Sequence, residues 1–482
     1  MYFKQIEDRK LAQYAYLIGC QRTKEAILID PQRDIDRYIG LAEREGLNIV
    51  AVADTHIHAD YLSGCREFAE RGVRVYASDE GDADWKFEWL LGSSYSYELL
   101  KDGDTFRIGN IELKAVHTPG HTPEHICFLV TDFGGGANSP MGMVSGDFVF
   151  VGDLGRPDLL ESAAGVEGVM VPSAKQLYGS VQRFLELEDH LQIWPGHGAG
   201  SACGKALGAI PETTVGYERR FNGAIQAALR GEDEFVDAIL DGQPEPPMYF
   251  ARMKRDNKTG PAVLGDVPNP HLLSMKEFGP LSGRDDLVLI DTRNRDAFLA
   301  GHLPGSLAAP FNKAFNTVVG SYVEELSDIY LVIEEEHVHE AVADLIRIGL
   351  DNIAGYATPD MMDLYREDGG ALASIPRKHM DDISELRTQD GVTILDVRNA
   401  TEWTAARVPD SKNIAYPRLY LRRDEVPTSQ TLAVHCLSGG RSLVAAALLK
   451  RLGHDVIFLD GNFQEWCSTH ETASGAPEAA LV

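Results

Sequence analysis

Two sets of residues in this 482-residue chain have the types and spacing that do chemistry. The first opens with THIHADYLSG at 55–64, where His56, His58 and Asp60 fall at alternate positions just after a strand-like run. On a loop leaving a strand, that spacing aims several metal ligands into one cavity. HTPGHTPEH (117–125), VSGDFVFVGD (144–153) and IWPGHGAG (193–200) follow, each placing His or Asp beside glycine after an apolar run. A lone histidine is more often structural, but four such segments in order point to one metal site that only the fold can assemble. The second set is HCLSGGRS at 435–442. Cys436 stands between the apolar run TLAV and the helix-like LVAAALLKRLG, so backbone N–H groups and the positive helix end face its sulfur. Both favour a thiolate or an anionic persulfide. Ser438, Gly439 and Gly440 wrap the backbone around that sulfur as its binding cradle, and Arg441 closes it.

These residues need elements to carry them. The first 220 residues alternate short β-branched runs such as AILIDP (26–31) and LNIVAVADTH (47–56) with helical stretches such as 35–46, the pattern of an α/β domain whose strand ends feed functional loops. Residues 213–245 read as helical, and VLGDVPNPH (263–271) carries the Gly and Pro of a linker, which places a boundary near 260. Beyond it the chain repeats. Asp291-Thr-Arg293-Asn294 answers Asp396-Val-Arg398-Asn399 at a spacing of 105 residues, and AVADLIRIGLDNI answers AAALLKRLGHDVI at 104. At that spacing Val332 stands opposite Cys436 and His337 opposite Arg441. The middle copy, 265–375, therefore has no nucleophile, and its EEEHVH run reads as a solvated helix start. The copy at 378–482 keeps the chemistry.

Composition limits the function classes. Apolar residues at 44% and charged residues at 24% suit globular cores. Asp plus Glu number 73 against 45 Lys plus Arg, a net charge of −28, and such a surface repels nucleic acid and anionic lipid. The N-terminus scatters charges where a signal peptide needs an apolar stretch, and no apolar run approaches a bilayer span, so a soluble, cytoplasmic protein is expected. The six dispersed cysteines include no CxxC pair and read as small buried residues or working thiols.

The four segments together resemble the metallo-β-lactamase superfamily pattern HxHxDH, then His, Asp and His, over about residues 1–255. The resemblance implies a four-layer αββα sandwich with metal at one edge of its sheets. Tyr61 replaces the last His of HxHxDH, a residue that helps bind a second metal within the superfamily. What survives resembles the mononuclear site of the persulfide dioxygenases, which implies Fe(II) on His56, His121 and Asp147, with open positions for sulfur and dioxygen. Zinc is the alternative metal. His58, Asp60 and His197 then orient ligands or water, and His117 and His125 are structural. GDLGRPDLL (152–160) also matches, with Arg156 and Asp158 read as a buried brace for the loop after Asp147; Asp153 is a weaker rival for the ligand position. Cys203, in GSACGK after His197, is expected near the mouth of the site as a sulfur relay. Residues 378–482 resemble a rhodanese domain. Phosphatase loops of that type are one residue longer between Cys and Arg, so the short loop favours sulfur transfer.

The order of the three parts resembles the persulfide dioxygenase–sulfurtransferases, α/β multidomain proteins with a metallo-β-lactamase sandwich followed by two rhodanese-like domains. It implies a low-molecular-weight thiol persulfide (glutathione, coenzyme A, bacillithiol or cysteine) and dioxygen as substrates, sulfite or thiosulfate as products, and a homo-oligomer. Arg219 and Arg220 are candidates to anchor an anionic carrier. The rival readings are a glyoxalase II-type zinc thioester hydrolase and a non-catalytic sulfur-sensing scaffold. Whether Cys436 hands sulfur to or from the metal site stays open.

Overall fold

The computed structural model describes residues 1–163 and 168–475, so the last residues of the expected C-terminal domain, 476–482, lie outside the described residues. The chain divides into two compact units. The first is Met1–Val267 with Ile346–Gly349; the second takes Pro268–Leu345 and the chain from Leu350 onward.

The first unit holds two six-stranded sheets. One runs in chain order through β1 (Tyr2–Asp8), β2 (Gln13–Gly19), β3 (Glu25–Ile29), β4 (Asn48–Ala53), β5 (Arg74–Ser78) and β6 (Tyr97–Leu100). The other comprises β7 (Thr105–Ile108), β8 (Ile111–His117), β9 (Ile126–Asp132), β10 (Gly142–Gly146), β11 (Gln192–Pro195) and β12 (Thr213–Thr214), again as neighbours in chain order. Side-chain alternation explains the layering. In β2, Tyr14, Tyr16 and Ile18 enter the core between the sheets, while Ala15 and Leu17 turn outward beneath the helix Asp36–Arg44. In β9, Ile126, Phe128 and Val130 point inward, and Cys127 and Leu129 face the helix Met170–Phe184. Helix, sheet, sheet and helix therefore stack as the expected αββα sandwich.

Strands β8 and β10 both run antiparallel to β9, and β10 is parallel to β11. Their C-terminal ends consequently share one edge. The His121, Asp147 and His197 segments all leave from that edge, and the His56 segment leaves the end of β4.

The second unit holds two five-stranded parallel sheets of identical order. One is β13 (His271–Leu272), β17 (Ile353–Ala357), β16 (Ile329–Val332), β14 (Val288–Asp291) and β15 (Leu307–Ala308); the other is β18 (Arg377–His379), β22 (Val456–Asp460), β21 (Thr431–His435), β19 (Val392–Asp396) and β20 (Lys412–Asn413). The repeated Asp-x-Arg does the same work in both. Arg293 grips Asp291 through Nε and Nη2 and donates to the Gly301 carbonyl at 2.7 Å. Arg398 grips Asp396 likewise and donates to the Ala406 carbonyl at 2.7 Å. The helix Gly440–Arg451 is buried at every residue from Ser442 to Leu449, for it packs on its own sheet and also against β15 of the other copy. Arg451 at its end donates to the carbonyls of Gly305 and Leu287. Among the described residues, no helix is long and apolar enough to cross a membrane.

Candidate functional site

His56, His121 and Asp147 converge, each 1% exposed, with their ligand-type atoms within 4.8 Å of one another. His121 Nε2 lies 3.5 Å and His56 Nε2 3.9 Å from Asp147 Oδ2. The surrounding hydrogen bonds fix both tautomers. His121 Nδ1 donates to the Arg156 carbonyl at 3.0 Å, which leaves the Nε2 lone pair facing the cavity. The Thr55 hydroxyl donates to Asp30 at 3.0 Å and so accepts from His56 Nδ1 at 2.9 Å, with the same result for His56. Burial pushes both histidines down toward the neutral form that ligates metal. His56 Nε2 and Asp147 Oδ2 have no hydrogen-bond partner although buried. Two imidazole nitrogens and a carboxylate oxygen converging on one point, the His56 and Asp147 atoms unpartnered, fit a divalent cation.

The neighbouring residues separate by role. His197 lies between two carboxylates, with Nδ1 2.7 Å from Asp147 and Nε2 2.8 Å from Asp60. Burial opposes charge on that ring, but Asp147 and Asp60 outweigh it and raise the group to about 10. His58 belongs to a different cluster. Its Nε2 is 3.2 Å from Asp30 and 3.0 Å from the Tyr61 hydroxyl, so Tyr61 holds His58 in the place where a ligand histidine was expected by pattern. His125 spends both nitrogens, accepting from the Asp147 N–H at 3.0 Å and bonding Thr118 at 2.8 Å, and His117 bonds the Pro123 carbonyl. Asp153 accepts from the N–H groups of Lys205 and Ala206 at 2.9 Å and is no rival to Asp147.

Arg156 and Asp158 form the expected brace, at 2.8 and 2.6 Å and nearly without exposure. Arg156 also donates to the Pro244 carbonyl, and its own N–H bonds the Cys203 carbonyl at 3.2 Å. Cys203 itself corrects one expectation. It clusters with Asp60 and His197 but is 1% exposed and does not line the throat that reaches His121. Burial, with Asp60 and Asp147 nearby, pushes its thiol well above the usual range.

The mouth lies elsewhere. A narrow apolar throat reaching His121 is lined by Ile57, Ala59, Trp85, Leu159, Phe250 and Lys254. An outer cavity of about 570 Å³ adjoins it through Trp85, Leu160, Ala251 and Lys254 and adds Arg255 and Lys258. Lys254 Nζ sits 3.8 Å above the Trp85 ring, and burial lowers its basicity. The same helix, Phe250–Thr259, supplies Asn257, which bonds the carbonyls of His58 and Tyr61 and the Ser63 N–H and so fixes the motif loop. Glu124, buried and raised to about 7, accepts from the Ile57 N–H at 2.7 Å. Sequence reading missed this helix, whose signal was the run RMKRDNK at 252–258. Arg219, an expected anchor, is instead engaged by Asp189 and the carbonyls of Leu185 and Leu187.

In the second unit Cys436, 3% exposed, follows β21. The Gly439 N–H donates to its Sγ at 3.2 Å, and Ser442 Oγ is 3.5 Å away. Gly439 has φ +96°, a conformation glycine adopts readily, and Gly440 begins the helix. Arg441 binds the Glu402 carboxylate through both Nη groups, and its charge also interacts with Cys436. The middle copy ends β16 at Val332 with Glu334, Glu335 and Glu336 exposed, as a solvated turn.

The metallo-beta-lactamase superfamily pattern matches residues 8–197, and the rhodanese-like domain pattern matches 379–469. A solved metallo-beta-lactamase from Staphylococcus aureus subsp. aureus COL is 41% identical, with a TM-score of 0.66, over 74% of this chain and 99% of that one. The mitochondrial persulfide dioxygenase ETHE1 of Bos taurus is 28% identical over 40% of this chain and 67% of its own length. The probable polyketide biosynthesis zinc-dependent hydrolase BaeB of Bacillus velezensis is 24% identical over 43% of this chain and 82% of its own.

Proposed function

This chain belongs to the metallo-β-lactamase superfamily and carries a rhodanese-like domain toward its C-terminus, and on that premise we propose that it oxidises the terminal sulfur of low-molecular-weight thiol persulfides with dioxygen and exchanges sulfane sulfur through Cys436. One observation carries the reading: the two-histidine, one-carboxylate donor set of His56, His121 and Asp147, with unpartnered atoms aimed at one point. Such a set suits Fe(II), which when bound supplies the redox capacity and open positions that join a sulfur anion to dioxygen. The similarity to the persulfide dioxygenase ETHE1 supports the same choice.

The chain's own residues do the rest. Arg156 and Thr55 hold the two imidazoles in the ligating tautomer, and His197 with Asp60 holds the Asp147 carboxylate in place. The apolar throat admits the sulfur-bearing end of the carrier and keeps bulk water out, while Lys254, at the junction of throat and outer cavity, meets its anionic groups. In the overall reaction the terminal sulfur takes both oxygen atoms of dioxygen and a third from water, leaves as sulfite, and the carrier departs as thiol. At Cys436, the thiolate attacks a sulfane sulfur, a new S–S bond forms, and the old partner leaves with the bonding pair. Thiosulfate would arise when sulfite takes that sulfur back.

Oxygen uptake by iron-reconstituted protein on adding glutathione persulfide, with sulfite assayed in the same sample, tests the first activity. Iron-dependent uptake with sulfite formed is expected. Zinc-dependent thioester cleavage without oxygen uptake would replace this reading with the hydrolase one.

A further inference from the structure

The copy without a nucleophile reaches into the loop of the copy that has one. Arg295 begins the helix Arg295–Ala300 of the middle copy, and its Nη1 donates to the Ser438 carbonyl at 3.2 Å while pairing with Asp460 Oδ1 at 3.1 Å. Ser438 C=O and Gly439 N–H are two ends of one peptide unit. In a trans peptide they point in opposite directions, and the chain has no cis bond among the described residues. The N–H end donates to Cys436 Sγ at 3.2 Å. The peptide is thus gripped at both ends, sulfur on one side and guanidinium on the other. A β-carbon on Gly439 would stand 2.3 Å from Arg295 Nη1, so the guanidinium rests directly against this backbone.

Glycine-flanked peptides rotate readily, and a half-turn of this one would aim a carbonyl oxygen at the sulfur in place of an N–H. An anionic sulfur would then meet a negative dipole end. A cation fixed on the carbonyl selects the useful orientation and polarises the peptide, strengthening its N–H as a donor. The position 105 residues on from Arg295 is Ala400, so the active copy has no arginine of its own there.

We propose that Arg295 is a positioning residue for sulfur transfer at Cys436, supplied by the degenerate copy, which locks the Ser438–Gly439 peptide with its N–H toward the sulfane sulfur. The inference rests on the sulfur-transfer reading of Cys436. The step it favours is attack of the Cys436 thiolate on the outer sulfur of thiosulfate, in which a Cys436 S–S bond forms and sulfite leaves with the electron pair of the broken bond.

The test uses the full chain equilibrated at a fixed thiosulfate-to-sulfite ratio, with persulfide occupancy read from the mass of the Cys436 peptide. Arg295→Met keeps an unbranched side chain and removes the guanidinium, with its donor and its place over the Phe458 ring. It is expected to lower the persulfide equilibrium constant about tenfold, the cost of losing one charge-assisted bond, and to lower kcat for onward transfer more than it raises KM. Arg295→Lys should restore most of both. Tyr420→Phe breaks another bond between the same two copies, the 2.7 Å contact to Glu324, and should leave the occupancy unchanged. Occupancy in Arg295→Met equal to the unaltered protein, or an equal fall in Tyr420→Phe, would overturn the proposal while sparing Cys436 as the transfer residue. If Cys436 takes up no sulfur in the unaltered protein, the sulfur-transfer reading falls and this inference with it.

Discussion

The ring of His121 is held by the main chain of Arg156: Nδ1 donates to that carbonyl at 3.0 Å, while the Arg156 side chain is itself pinned to Asp158. One residue therefore sets a ligand's tautomer with its backbone and keeps that backbone in place with its guanidinium. Arg156→Lys cannot keep both parallel bonds. It leaves Asp158 poorly partnered in a buried setting, which should destabilise the first unit by about 3–5 kcal/mol and weaken metal binding by about 10–100-fold. Denaturant melts and metal titration check the two effects separately.

Removing a ligand should be more drastic than disturbing its support. His121→Ala and Asp147→Asn are expected to lose bound iron and essentially all oxygen uptake, measured by metal analysis and an oxygen electrode. Thr55→Val, which frees the His56 ring without deleting it, should retain weakened metal binding that excess iron restores.

Lys254 gives a pH dependence with a definite sign. Burial lowers its basicity, Glu124, Asp84 and Asp82 raise it, and Lys258 lowers it. A lowered value means the charge is lost earlier as pH rises, so KM for an anionic carrier persulfide should climb on the alkaline side before ordinary lysines titrate. Lys254→Arg, always charged, should flatten that rise, and Lys254→Ala should show a high KM at every pH. Steady-state kinetics across pH read all three outcomes.

Cys436→Ser should abolish sulfur exchange with thiosulfate while leaving persulfide-dependent oxygen uptake measurable. Parallel assays of the two activities on one preparation decide whether the two sites run separate half-reactions.

The parts of the site visible in the sequence were those carried by local spacing. Glycine-flanked His121, Asp147 and His197 mark strand ends, and the Asp-x-Arg repeat marks two folds of one kind, so both survive translation into structure. Arg156 and Asp158 were legible because the brace is local, two residues apart. The hidden parts depend on backbone atoms or on distant pairs. The carbonyl that orients His121 has no sequence signature, and Arg295 meets Ser438 across 143 residues. Cys203 was misplaced because burial depends on what covers the GSACGK turn, and the fate of Arg441 depends on Glu402, 39 residues before it. Lys254 lies on a helix whose basic run reads as an ordinary solvated face until Trp85 is seen beneath it.

The helix after Cys436 is apolar on every side because two sheets claim it. Neither copy in the second unit can therefore melt alone without wetting that helix, and the pair should unfold in a single cooperative transition. The nucleophile-free copy should then contribute to thermal tolerance. A fragment cut near residue 376 would expose an oily stripe and tend to associate with itself.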